Sequence, residues 1–93
     1  MTPDRFDPYI LDVLMPDLVG HDRSPAAFVV YLYLLGKAGR ARRDTVAASL
    51  QTIATETGLS KSAVQIALRH LRRRGLLDAG VEATVTNPVR RVL

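Results

Sequence analysis

The chain has 93 residues, a length that accommodates one domain with a modest core. Hydrophobic residues make up 47% of it and charged residues 24%, which is typical of globular rather than disordered proteins. There is no cysteine, which excludes disulfides and thiolate metal sites, and His21 and His70 are isolated in sequence. We expect no metal and no cofactor. Because no signal-peptide pattern or membrane-spanning apolar run is found, a cytoplasmic protein is expected.

Charge is distributed unevenly along the chain. The net charge is +4, but residues 1–35 carry −3 and residues 36–93 carry +7. This asymmetry indicates that the second part binds a polyanion and that the first part has another role. The alternative explanation is a basic surface that serves only solubility. In the basic part, Arg42 and Arg43 are candidate phosphate contacts.

Capping signals predict two helices in the acidic part. Asp7, followed by a proline, begins a short helix over residues 8–15, which Pro16 should end. Ser24, also followed by a proline, begins a second helix over residues 25–38. Because this second helix is apolar around almost its whole circumference, it should be buried on all sides. Either the N-terminal segment or a second copy of the chain must cover its second face.

A strand and two further helices are predicted in the basic part. The sequence "TVAA", residues 45–48, is typical of a short strand, and a serine-capped helix follows over residues 50–57. Gly58 ends that helix, and Ser60 caps the next one, over residues 61–74.

This last helix has two different faces at 100° per residue. The predicted core stripe is Val64, Ala67, Leu68 and Leu71. The predicted outer face is Ser62, Gln65, Ile66, Arg69 and Arg73. Gln65 and Arg69 can form paired hydrogen bonds with base edges in a major groove, and Ile66 can meet a thymine methyl. From geometry alone, Ile66 fits a protein partner equally well, and Arg72 and Arg73 also complement the helix dipole.

The order of helix, turn, capped helix, glycine and predicted hairpin is more specific than any single residue. Residues 49–77, "SLQTIATETGLSKSAVQIALRHLRRRGLL", resemble the helix-turn-helix core of winged-helix DNA-binding proteins, of the MarR-like and replication-initiator-like kind. The matching positions are Leu50, Ile53, Ala54, Gly58, Leu59, Ser60, Val64, Leu68, Leu71, Gly75, Leu76 and Leu77.

The resemblance implies that helix 61–74 is the recognition helix and that residues 76–93 form the wing. The positions it assigns to the groove are Ser60, Lys61, Ser62, Gln65, Ile66 and Arg69. The wing loop "GVEATVTN" departs from a basic wing tip because it contains no lysine or arginine. Arg90 and Arg91 on the returning strand are expected to contact the phosphate backbone instead. MarR-like proteins dimerise through a C-terminal helix that is not found after this hairpin, so a dimer would have to form through residues 6–35. Because the N-terminal segment has more apolar side chains than one short helix can bury on a single side, a homodimer through residues 6–35 is expected.

The sequence gives no pattern for catalysis, since its serines occur at helix starts and "GKAGR" lacks the P-loop spacing. We therefore expect a single α+β, mainly helical winged helix-turn-helix domain over residues 1–93. It comprises an N-terminal helical extension (1–23), a three-helix core (24–75) with the helix-turn-helix at 49–74, and a β-hairpin wing. The expected function is binding of double-stranded DNA as a transcriptional regulator. The alternatives are a DNA-binding accessory of a replication or mobile element and a winged-helix protein–protein interaction module.

Overall fold

The computed structural model describes residues 8–41, 45–77 and 89–91, which are mainly helical. After an N-terminal helical segment (residues 8–21), the elements are α1 (Pro25–Ala41), β1 (Thr45–Ala47), α2 (Leu50–Thr57), α3 (Lys61–Arg73) and β2 (Val89–Arg91). None of the helices in these described ranges has both the length and the apolarity needed to span a bilayer.

The N-terminal helical segment continues through Pro16, where the sequence predicts its end. It consists mainly of two stretches with wide π-helical turns, Ile10–Leu14 and Pro16–His21. The N–H group of Met15 donates to the carbonyl of Ile10, five residues back. Pro16 occupies the first position of the second stretch, where the proline ring fixes φ at about −65°, a value compatible with helical backbone. The prediction that Pro16 ends the helix is therefore wrong, because the proline begins a further helical stretch.

The N-terminal helical segment and α3 both pack against α1. The buried residues of α1 are Ala27, Phe28, Val30, Tyr31, Leu34 and Ala38, and Val29 is exposed. From the N-terminal segment, Ile10, Leu14 and Leu18 join the same core cluster. The apolar circumference of α1 is thus largely covered within one chain. α1 also extends beyond its predicted end, as far as Ala41.

Two short strands complete the described structure. β1 and β2 pair antiparallel, with Val46 opposite Arg90 at the centre of the register. β1 lies within the stretch "TVAA", and β2 lies within the predicted returning strand of the hairpin. The wing loop "GVEATVTN" and the adjoining residues 78, 79 and 88 lie outside the described residues.

Candidate nucleic-acid interface

The turn between α2 and α3 is fixed by one glycine and one serine. Gly58 ends α2 with a φ of 82°, and its N–H donates to the Ala54 carbonyl at 2.9 Å. A glycine adopts this left-handed conformation with little strain because it has no Cβ. Ser60 then caps α3, since its Oγ accepts a hydrogen bond from the Ala63 N–H at 3.1 Å. The predicted bounds of α2 and the start of α3 are confirmed.

One side of α3 belongs to the core. Its buried residues are Val64, Ala67, Leu68 and Leu71, the stripe that the 100° periodicity predicts. Burial of a leucine side chain stabilises the fold by about 1.5–3 kcal/mol relative to exposure. This packing determines which side of α3 faces solvent.

The opposite side of α3 is exposed along its whole length. Its exposed residues are Lys61, Ser62, Gln65, Ile66, Arg69, Arg72 and Arg73. Ile66 is 59% exposed, although an isoleucine side chain is more often buried. Within the described ranges, no acidic group forms an ion pair with Arg69, Arg72 or Arg73. The face therefore combines cations with polar and apolar groups that are all accessible to a ligand.

The C-terminal flank of α3 contacts the N-terminal part of the chain instead. His70 Nε2 lies 2.7 Å from Asp22 Oδ2, and Arg74 Nε lies 2.9 Å from the same oxygen. Arg74 also donates through a terminal nitrogen to Asp17. His21 Nδ1 lies 2.9 Å from Oδ1 of Asp22, whose side chain is only 7% exposed. We call these five residues the Asp22 cluster.

Basic neighbours favour the charged form of Asp22. Hydrogen bonds, first with His21 and then with His70, lower the pKa of Asp22 from its ordinary value of 3.8 to about 2, against the opposing effect of burial. The charge of Arg74 acts in the same direction. Local sequence patterns do not indicate this contact, because Asp22 is 48 positions away from His70. The opposite charges of the two parts of the chain were the one signal that pointed to it.

Three groups in the Asp22 cluster are close enough for one metal ion. Ligand atoms of Asp17, His21 and Asp22 lie within 4.8 Å of one another. Arg74 already forms ion pairs with both carboxylates, so a metal ion would have to compete with it. The expectation that His21 and His70 bind no metal stays a prediction.

A second polar contact joins α1 to α2. The Tyr33 hydroxyl donates to Glu56, and Lys37 Nζ lies 3.3 Å from a Glu56 carboxylate oxygen and 5.6 Å from the centre of the Tyr33 ring. Burial and then the Glu56 hydrogen bond raise the pKa of Tyr33 to about 12. Hydrogen bonds from Tyr33 and then Lys37 lower the pKa of Glu56. Lys37 is therefore paired within the chain.

Four of the candidate residues lie outside the helices, and two of these four lie outside the described residues. Arg42 and Arg43 lie outside the described residues, as does the wing loop. Arg90 and Arg91 belong to β2, where their backbones pair with β1. The strand pairing thus brings two candidate residues beside the strand that directly precedes α2.

The structure contains three helices, of which α2 ends at Gly58 and is joined by a short turn to α3, capped by Ser60. This arrangement defines a helix-turn-helix protein. A family model described as a helix-turn-helix domain matches residues 24–77, which is more than half of the chain. The protein belongs to this helix-turn-helix domain family. Searches of curated proteins and of solved structures give no match. The family match includes α1 to α3 and leaves out the N-terminal helical segment.

Proposed function

We propose that the protein is a winged-helix transcriptional regulator that binds double-stranded DNA through α3 and catalyses no reaction. The observation that carries this proposal is the exposed side of α3, where Arg69, Arg72 and Arg73 have no acidic partner among the described residues. Cations on one surface attract a polyanion, and a capped helix of this kind enters the major groove. Membership of a helix-turn-helix family supports the same function.

Each part of the exposed side suits a different DNA group. The Ser60 hydroxyl accepts a hydrogen bond from the chain but can still donate its own hydrogen to a phosphate, beside Lys61 and Ser62. Gln65 and Arg69, one turn further on, suit adenine and guanine edges. Ile66, which is exposed between them, suits a thymine methyl.

Phosphate contacts are expected to supply most of the affinity. Arg72 and Arg73 contribute from α3, and the further candidates are Arg42, Arg43, Arg90 and Arg91. Lys37 is not among them, because Glu56 neutralises it. With about four to six phosphate contacts, the log–log dependence of affinity on salt should have a slope of about −4 to −5. The pairing of β1 with β2 supports the assignment of the last strand to a wing.

Fluorescence anisotropy with a labelled random-sequence duplex tests this proposal, with the affinity measured between about 50 and 200 mM salt. Arg73→Gln should make the slope shallower by about 0.9, because one phosphate contact is lost. Arg23→Gln is the matched control, since it removes an exposed arginine from the turn before α1. A wild-type slope near −1, or equal effects of the two variants, would contradict DNA binding through α3.

The exposed Ile66 also supports a second candidate, an interaction module that holds a protein partner with the same face. An electrophoretic shift assay at low salt separates the two functions. Retardation of a random-sequence duplex supports DNA binding, and its absence at tens of micromolar protein favours the interaction module.

We further propose that the protein is a homodimer built from residues 6–35. The N-terminal helical segment keeps apolar side chains exposed, among them Leu11 at 46% and Met15 at 40%. Among the described residues of this region, Tyr9, Val13, Val19 and Val29 are exposed as well. A two-fold dimer would bury them and place two copies of α3 on half-sites about one helical turn apart.

Light scattering at low micromolar concentration tests the dimer. The wild type should have twice the 10.2 kDa mass of one chain, and Met15→Glu should reduce it to one chain without loss of helical signal. A wild-type mass of 10.2 kDa would contradict the dimer.

A further inference from the structure

We propose that Asp17 and Asp22 hold Arg74 away from DNA, so that the N-terminal helical segment limits the phosphate contacts of α3. This inference rests on the proposed DNA binding through α3. It assigns a role to a contact that neither the family match nor the sequence pattern includes, since Asp17 and Asp22 precede residue 24.

Three consecutive arginines at the end of α3 differ only in their surroundings. Arg72 and Arg73 are exposed, and no carboxylate in the described ranges pairs with them. Arg74 pairs with two carboxylates, Asp17 and Asp22. A guanidinium that is bound by carboxylates must leave them before it can bind a phosphate, because both anions use the same N–H donors.

The Arg74 side chain is 37% exposed, so its pairing is at the surface and accessible to a competing anion. An exposed ion pair contributes little to folding stability, so loss of the Asp17 charge should release Arg74 without unfolding the chain. The intramolecular carboxylates therefore act as competitors of the DNA backbone at this position.

Asp17 is the part of the pairing that can be changed without removing the rest of the Asp22 cluster. Its side chain is 34% exposed, and its ion-pair partners are Arg74 and, at 3.7 Å, His21. Asp22 is nearly buried and is held by both histidines as well as by Arg74. Loss of the Asp17 charge should weaken the hold on Arg74 and keep the Asp22 contacts.

The test measures the affinity of the full chain for a random-sequence duplex at several salt concentrations. Asp17→Asn should bind more tightly than wild type, with a slope steeper by about 0.9. The gain should shrink about threefold between 50 and 200 mM salt, as expected for one added phosphate contact. Because the contact is to the backbone, sequence preference should not change.

Asp12→Asn controls for net charge, since Asp12 is exposed on the same segment and forms no ion pair with a described residue. The double variant Asp17→Asn/Arg74→Gln should lose the gain, because the released group is then absent. Equal gains in Asp17→Asn and Asp12→Asn would overturn the inference, and so would a gain that persists in the double variant.

Arg74→Gln alone provides a second test that does not depend on the folding of Asp17→Asn. If Arg74 is held away from DNA, this variant should keep the wild-type salt slope, whereas Arg73→Gln should reduce it by about 0.9. Equal reductions in the two variants would overturn the inference and leave DNA binding in place. A wild type that does not bind DNA would overturn both.

Discussion

Two sides of the same helix use their polar residues in opposite ways. On the exposed side of α3, Arg69 and Arg73 have no acidic partner among the described residues, whereas on the flank His70 and Arg74 are bound to Asp22. Helical periodicity places Arg69 and Arg73 on the outer face, but it does not indicate that His70 and Arg74 contact a carboxylate of the N-terminal part. The number of cations in a helix therefore overstates the number that a ligand can use, and the tertiary partners decide which remain accessible.

The largest expected effect separates the buried side of α3 from the exposed side. Leu68→Ala should reduce the free energy of unfolding by about 2–5 kcal/mol, because it leaves a cavity in the core. Ile66→Ala should change it by less than about 0.5 kcal/mol, since Ile66 is mostly exposed. Urea unfolding followed by circular dichroism measures both. Similar losses in the two variants would mean that Ile66 is packed in the native protein.

The second prediction sharpens the comparison within the exposed side. Gln65→Ala or Arg69→Ala should reduce affinity for a selected site by about 1–3 kcal/mol and relax the preference at one base pair. Arg73→Ala should instead weaken binding to all sequences about equally, because a phosphate contact carries no base information. Selection of bound sites from a random library, followed by binding assays on single-base variants, distinguishes the two patterns. If Gln65→Ala and Arg69→Ala reduced affinity equally for all sequences and left the base preference intact, these two residues would not be the ones that contact bases.

The third prediction concerns the flank of α3 at acid pH. Because His21, His70 and Arg74 lower the pKa of Asp22 to about 2 in the folded chain, its ionised form stabilises the fold above the ordinary pKa of 3.8. That stabilisation should be lost as the pH falls from 3.8 toward 2. The urea midpoint of the wild type should therefore decrease over this range more than that of Asp22→Asn, and the two curves should converge. If the midpoints of the two proteins decreased in parallel as the pH falls, ionisation of Asp22 would not be coupled to folding.

The last prediction is that removal of metal ions has no effect. Although Asp17, His21 and Asp22 could share a metal ion, Arg74 already forms ion pairs with both carboxylates and would compete with the ion. Treatment with a chelator should leave the melting temperature and DNA affinity unchanged, and a decrease in either after dialysis would indicate a bound ion.

Local signals were sufficient to predict the part of the fold that presents α3. Gly58 and Ser60 act through their own backbone and their near neighbours, so the bounds of α2 and the start of α3 could be predicted. The buried stripe of α3 follows from helical periodicity alone, and it is confirmed. The exposure of Gln65 and Arg69 agrees with the predicted outer face, and their role in base recognition stays a prediction.

The Asp22 cluster could not be predicted in the same way. Its central contact joins Asp22 to His70 across 48 positions, and it depends on how the N-terminal helical segment packs against α1. That packing depends in turn on helical geometry that continues through Pro16. Local rules treat a proline as a helix end, and they do not anticipate a second stretch with wider turns that starts at the proline.

The buried side of α3 holds the helix in the fold, and the exposed side is free of that constraint, which has an evolutionary consequence. Gln65, Ile66 and Arg69 are exposed, and none of them belongs to the core cluster that holds the helix in place. Exchanges at these three positions should therefore leave folding almost unaffected while altering the chemical groups offered to a partner. Under the proposed function, single substitutions at these positions should change the target preference with little change in stability. The same three positions are where a protein engineer would place a randomised library.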